Sequence, residues 1–80
     1  MSLRNWLTGR SAAEQRVDEL TAHVEKLRDE MHNLEAKIAE YRRLGMNPSE
    51  YETMYIQVRH MYDEARIMLR SAMAAWESER

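Results

Sequence analysis

Residues 44–50 read Leu-Gly-Met-Asn-Pro-Ser-Glu, and they lie between two long stretches with helical periodicity. Gly45 suits the position just after the end of a helix, where the backbone turns left-handed and a Cβ is disfavoured. Asn47 can cap the next helix with its side-chain oxygen, and Pro48 suits the first helical position because no amide hydrogen is needed there. Glu50 would complete a capping box with Asn47. The stretch therefore predicts a sharp turn between two helices.

The two stretches beside this turn carry the same heptad pattern of apolar residues. Before the turn, spacings of three and four alternate through Val17, Leu20, Val24, Leu27, Met31, Leu34, Ile38 and Tyr41. After it, the same alternation gives Tyr51, Met54, Val58, Met61, Ala65, Met68, Ala72 and Ala75. Facing residues of an antiparallel hairpin have numbers with a constant sum, so pairing Tyr41 with Tyr51 places Leu27 opposite Ala65 and gives every residue an apolar partner. The sequence predicts an all-α fold, an antiparallel two-helix coiled-coil hairpin.

The 80 residues divide into an arm and one small domain. Residues 1–10 are interpreted as an N-terminal arm, short helix or flexible, and residues 11–80 as the hairpin, with helices over 11–44 and 48–78 and a turn at 45–47. A lone core of this size is usually marginal unless disulfides, a metal or oligomerisation supports it. Because the chain has no cysteine, we expect self-association to supply the missing stability.

The second helix carries large apolar residues outside its predicted seam. Four of them are spaced by seven and form what we call the aromatic stripe: Tyr55, Tyr62, Leu69 and Trp76. The matching positions of the first helix are polar, so the sequence predicts that the stripe is exposed, with Ile56 and Met73 adding further apolar area. An exposed apolar stripe usually marks an interface. We therefore expect two hairpins to pair through it into a dimeric four-helix bundle.

The N-terminal arm carries Leu3, Trp6 and Leu7 on what would be one face of a short helix. Tryptophan is over-represented among binding hot spots, so one interpretation is a docking segment that places Trp6 in a partner's pocket. The other is that the arm frays or folds back over the end of the hairpin, as chain termini often do. The sequence leaves both open.

Charge and motifs argue against several functional classes. The formal net charge is −2, with 12 basic and 14 acidic residues mixed along the chain, so nucleic-acid binding is a minor alternative. No catalytic, phosphate-binding or cofactor motif is present, and His23, His32 and His60 lack the spacing of a helical metal site, so we predict no enzyme, cofactor or metal.

No apolar run approaches the roughly 18 to 20 residues of a membrane span. The start of the chain lacks a secretory signal, which predicts a cytoplasmic protein.

Two functions fit a hairpin with an exposed stripe. The leading hypothesis is a non-enzymatic protein–protein interaction module, a homodimeric scaffold or adaptor. The alternative is a small helical chaperone or inhibitor that captures a partner helix on the aromatic stripe. The chain is similar to secretion-system co-chaperones and needle subunits and to small phage-encoded regulators in its length and its proline-containing turn alone, and the co-chaperones and phage regulators are examples of the second kind of role. An extended parallel coiled-coil dimer and a domain-swapped form are the structural alternatives.

Overall fold

The computed structural model describes residues 11–79, which form two long helices folded back on each other. Helix α1 spans Ala12–Arg43 and helix α2 spans Ser49–Ser78. The helices pack along one another, and none of the residues 11–79 lies in a strand. The predicted all-α helical hairpin is therefore confirmed. No helix in this part of the chain is long and apolar enough to cross a membrane.

The turn closes the end of α1 with backbone hydrogen bonds. Gly45 has a φ of 72°, the left-handed conformation predicted for it. Its N–H donates to the carbonyl of Arg42 at 3.1 Å, and the N–H of Met46 donates to the carbonyl of Tyr41 at 2.8 Å. This is the Schellman arrangement, which satisfies carbonyls that would otherwise lack partners at the helix end.

Gly45→Ala is expected to lower the free energy of unfolding by about 1 kcal/mol, because a left-handed backbone is unfavourable for a residue with a Cβ. No atom lies within 4 Å of the position that this Cβ would occupy, so the loss comes from the backbone and not from a clash. Gly45→Asn is the control, with a smaller loss because asparagine adopts this conformation more readily. Urea denaturation measures both variants. Unchanged stability of Gly45→Ala would contradict the prediction.

Side-chain oxygens cap the start of each helix. Ser11 Oγ accepts a hydrogen bond of 3.1 Å from the amide three residues ahead. Asn47 Oδ1 accepts one of 3.0 Å from the N–H of Ser49, the first residue of α2. The N-cap position itself is taken by Pro48, so the prediction of Asn47 as the N-cap and Pro48 as the first helical residue is wrong by one position. The reciprocal bond predicted from Glu50 is not formed within residues 11–79. Pro48 has a ψ of 11° and precedes the helix, which places Glu50 at the second helical position instead of the third.

The core is a single narrow layer between the helices. Leu27 of α1 and Ala65 of α2, which the antiparallel register places opposite each other, are each only 3% exposed. Near the turn, the rings of Tyr41 and Tyr51 pack edge to face with centroids 4.9 Å apart, as the register predicts. Their hydroxyl oxygens lie 3.5 Å apart, and this hydrogen bond raises the pKa of Tyr41 above its usual value.

The packed face of α2 differs from the predicted one. The residues that α2 turns toward α1 are buried or half-buried: Tyr51, Tyr55, Val58, Tyr62, Ala65, Leu69, Ala72 and Trp76. The other residues of the predicted seam, Met54, Met61, Met68 and Ala75, are exposed. The helix is thus turned so that the aromatic stripe packs inward. Large aromatic side chains bury more apolar area than methionine or alanine can, which favours this orientation.

Candidate interaction surface

The members of the aromatic stripe are half-buried in the hairpin, so the prediction that the stripe is uncovered is wrong. Polar groups contact two of its tyrosines. The hydroxyl of Tyr55 donates to Glu35 Oε1 of α1 at 3.1 Å. The guanidinium of Arg66 lies over the ring of Tyr62, 5.6 Å from its centroid, where a cation is attracted to the ring face. Glu35 of α1 therefore accepts a hydrogen bond from Tyr55, because tyrosine can bury part of its ring and keep its hydroxyl at the edge.

Exposed large apolar side chains are concentrated elsewhere on α2. Six of them stand out: Met54, Ile56, Met61, Ile67, Met68 and Met73. Ile56 and Met73, both predicted as interface residues, are exposed at 67% and 43%. Whether Ile56, Met73 or any member of the aromatic stripe contacts a partner is still a prediction. What the structure adds is an apolar flank of α2 made by Met54, Met61 and Met68, which the sequence pattern assigned to the core.

Three methionines of this flank form a regular line, which we call the methionine row: Met54, Met61 and Met68. They are spaced by seven residues and are almost equally exposed, at 47%, 48% and 47%. Two helical turns separate neighbouring members, so the row runs roughly 21 Å along one flank of α2. Single exposed apolar residues need no explanation, but an aligned set of this length does.

The row leads into an apolar groove at the open end of the hairpin. This groove has a volume of about 680 Å³ and is walled by small side chains of both helices, including Ala13, Ala72 and Ala75. Met68 and Ile67 form its inner end. Because the small residues leave room beside the helices, the apolar surface is concave here and continues the flank on which the row lies.

The opposite flank of the hairpin carries polar contacts between the helices beside a shallow, mostly apolar hollow lined by Ile38, Ala39 and Ile56. Arg42 Nη2 and Glu52 Oε2 form an ion pair of 2.6 Å there, close to the hydrogen bond between Tyr55 and Glu35. These groups are substantially exposed, so the ion pair contributes about 1 kcal/mol or less to stability. The two flanks therefore differ in character: one is bridged by polar contacts between the helices, and the other carries the methionine row.

The titratable side chains of residues 11–79 form contacts in pairs, and none of these contacts builds a metal site. No group of three or more His, Asp or Glu residues in this range could hold a metal ion. His32 contacts Glu35 at 3.7 Å and His60 contacts Glu64 at 3.1 Å, and both pairs are exposed on single helices. The predicted docking residues Leu3, Trp6 and Leu7 lie outside the described residues.

Comparison with known proteins gives no relative for this hairpin. No protein family, curated protein or solved structure matches the chain. The exposed surface of residues 11–79 is therefore the basis for a functional proposal.

Proposed function

We propose that this protein is a non-enzymatic interaction module, a helical hairpin that self-associates into a homodimer and serves as a scaffold or adaptor. One observation carries the proposal: most large apolar side chains of α2 outside the packed layer are exposed, whereas only Val17, Leu20, Leu27 and Ala65 are buried among the described residues. Hydrophobic burial is the main favourable term in folding, so a hairpin with this balance gains much from covering its apolar flank.

The architecture supports the same proposal. A hairpin that pairs with a second hairpin forms a four-helix bundle, in which apolar side chains left exposed by one hairpin can be buried.

Capture of a partner helix is the second candidate function. Methionine is unbranched and polarisable, so a surface rich in it adapts to partners of different shape. That property favours a small chaperone or inhibitor that docks a foreign amphipathic helix on the apolar flank. The sequence predicted that the partner helix docks on the aromatic stripe. Because the stripe is half-buried in the hairpin, the methionine row replaces it here as the docking surface. The expected cytoplasmic location is a prediction common to both functions.

Solution mass separates the two candidates. We expect light scattering to give twice the chain mass of 9.6 kDa, falling toward the single-chain mass on dilution over roughly 1 mM to 1 μM. Circular dichroism at the same concentrations shows whether the helices persist. A helical protein with the single-chain mass at every concentration would contradict the homodimer and favour capture of a foreign helix.

A further inference from the structure

The three members of the methionine row are evenly spaced along α2. Met61 lies midway between Met54 and Met68, and the three side chains are almost equally exposed. A two-fold axis perpendicular to α2 at its middle member would carry the row onto itself. An interface between two identical chains is self-complementary in this way, because the same patch is used on both sides.

We propose that a second copy of this chain docks on the methionine row, with the two α2 helices antiparallel and the two-fold axis beside Met61. Met54 of one copy then packs on the partner's Met68, and Met61 packs on the partner's Met61. This arrangement rests on the proposed homodimer and assigns its contact face and register. The antiparallel direction also places the helix dipoles of the two α2 helices in opposition, which favours the pair.

The side chains that border the row suit a second copy. Three residues beyond each methionine stand Gln57, Glu64 and Ser71, all exposed. Glu64 is the single charged residue among these three, and His60 of the same helix contacts it at 3.1 Å. Glu50, four residues before Met54, continues this line, so the border carries two carboxylates among four exposed residues. Few like charges therefore meet when two copies pair, and like charges facing each other across an interface disfavour association.

The opposite flank is less suitable for a second copy. It carries the Arg42–Glu52 ion pair and Arg66, whose guanidinium already lies over Tyr62. Covering it would take these charges out of water without a new partner of opposite sign, which is costly. The other exposed apolar residues of α2, Ile56, Ile67 and Met73, do not share the seven-residue spacing of the row. The methionine row is therefore the face that a second copy covers at the lowest desolvation cost.

A disulfide trap tests this register directly, because the natural chain has no cysteine. A residue beside a two-fold axis meets its own copy, so Met61→Cys places two thiols within disulfide reach in the proposed dimer. Two variants on the same helix serve as matched controls: Met73→Cys and Ile56→Cys replace exposed apolar residues off the row. All three proteins are oxidised mildly at a concentration at which the wild type is dimeric by light scattering.

We expect Met61→Cys to run at twice the chain mass on a non-reducing gel as its main product and to return to single-chain mass with a reductant. Met73→Cys and Ile56→Cys should stay mainly single chains. If the wild type is dimeric but a control crosslinks and Met61→Cys does not, the assigned face is wrong and the homodimer stands. If the wild type is monomeric at every concentration, the proposed function fails and this interface fails with it.

Discussion

Leu27→Asp is expected to unfold the hairpin. Leu27 is among the least exposed residues in the described part of the chain, and its neighbour across the hairpin, Ala65, is equally enclosed. Removing a buried leucine side chain typically costs about 2 to 5 kcal/mol. A buried carboxylate without a partner adds further cost. Small domains have a total stability of about 5 to 15 kcal/mol at most, and this one has a thin core, so the sum removes most or all of it. Circular dichroism should show loss of the helical signal.

Ile56→Asp is the matched control for this prediction. It introduces the same charge into α2, but Ile56 is exposed to water and Arg59 lies three residues further along the helix, so a negative charge is tolerated. Its stability should stay within about 0.5 kcal/mol of the wild type, as is usual for surface substitutions. A Leu27→Asp protein with a wild-type helical signal and cooperative thermal unfolding would show that the layer at Leu27 and Ala65 is not the core.

Met61→Arg and Tyr62→Arg are expected to have opposite effects although they are adjacent in the chain. Met61 is exposed in the middle of the methionine row, so its arginine variant should keep the helical signal and lose self-association, with the mass falling to that of one chain. Tyr62 packs toward α1, and Arg66 lies over its ring. Its arginine variant loses this packing and places two positive charges four residues apart, which should lower stability by about 1 to 3 kcal/mol.

This pair of variants is informative because the heptad pattern alone predicts that Met61 lies in the core and that Tyr62 lies on the exposed surface. Urea denaturation gives the stability of each variant, and light scattering gives its mass at the same concentration. Loss of stability in Met61→Arg together with unchanged stability in Tyr62→Arg would contradict the packing of α2 described above and restore the seam predicted from sequence.

The turn and α1 could be predicted from the sequence because each signal has one physical interpretation there. Gly45 takes the left-handed conformation, Asn47 accepts a hydrogen bond from the first amide of α2, and the Tyr41–Tyr51 contact matches the predicted register. In α1 the apolar residues form one line bordered by polar residues, so a single face can be buried. Leu27, at the centre of that line, is accordingly enclosed.

The packed face of α2 could not be predicted from spacing alone. Two lines of apolar residues, one through Met61 and one through Tyr62, lie on either side of Val58 and Ala65. Val58 and Ala65 belong to either seam, and adding Met61 or Tyr62 between them gives equally regular spacings. Side-chain chemistry decides between them. Tyr62 can bury a large ring under the hairpin edge while its hydroxyl stays accessible, and Met61 has no comparable gain. Weighing side-chain size along with spacing would have favoured the observed face.

The most direct test of the methionine row as the dimer contact is a dilution series by nuclear magnetic resonance with the methionine methyl groups labelled with carbon-13. The chain has seven methionines, which act as separate probes of its surface. We expect the methyl signals of Met54, Met61 and Met68 to shift between high and low concentration, because their surroundings change when the dimer dissociates. The signals of Met46 at the turn and Met73 off the row should stay in place. Shifts at Met46 or Met73 with an unchanged row, or no shift at any methionine, would contradict the proposed interface.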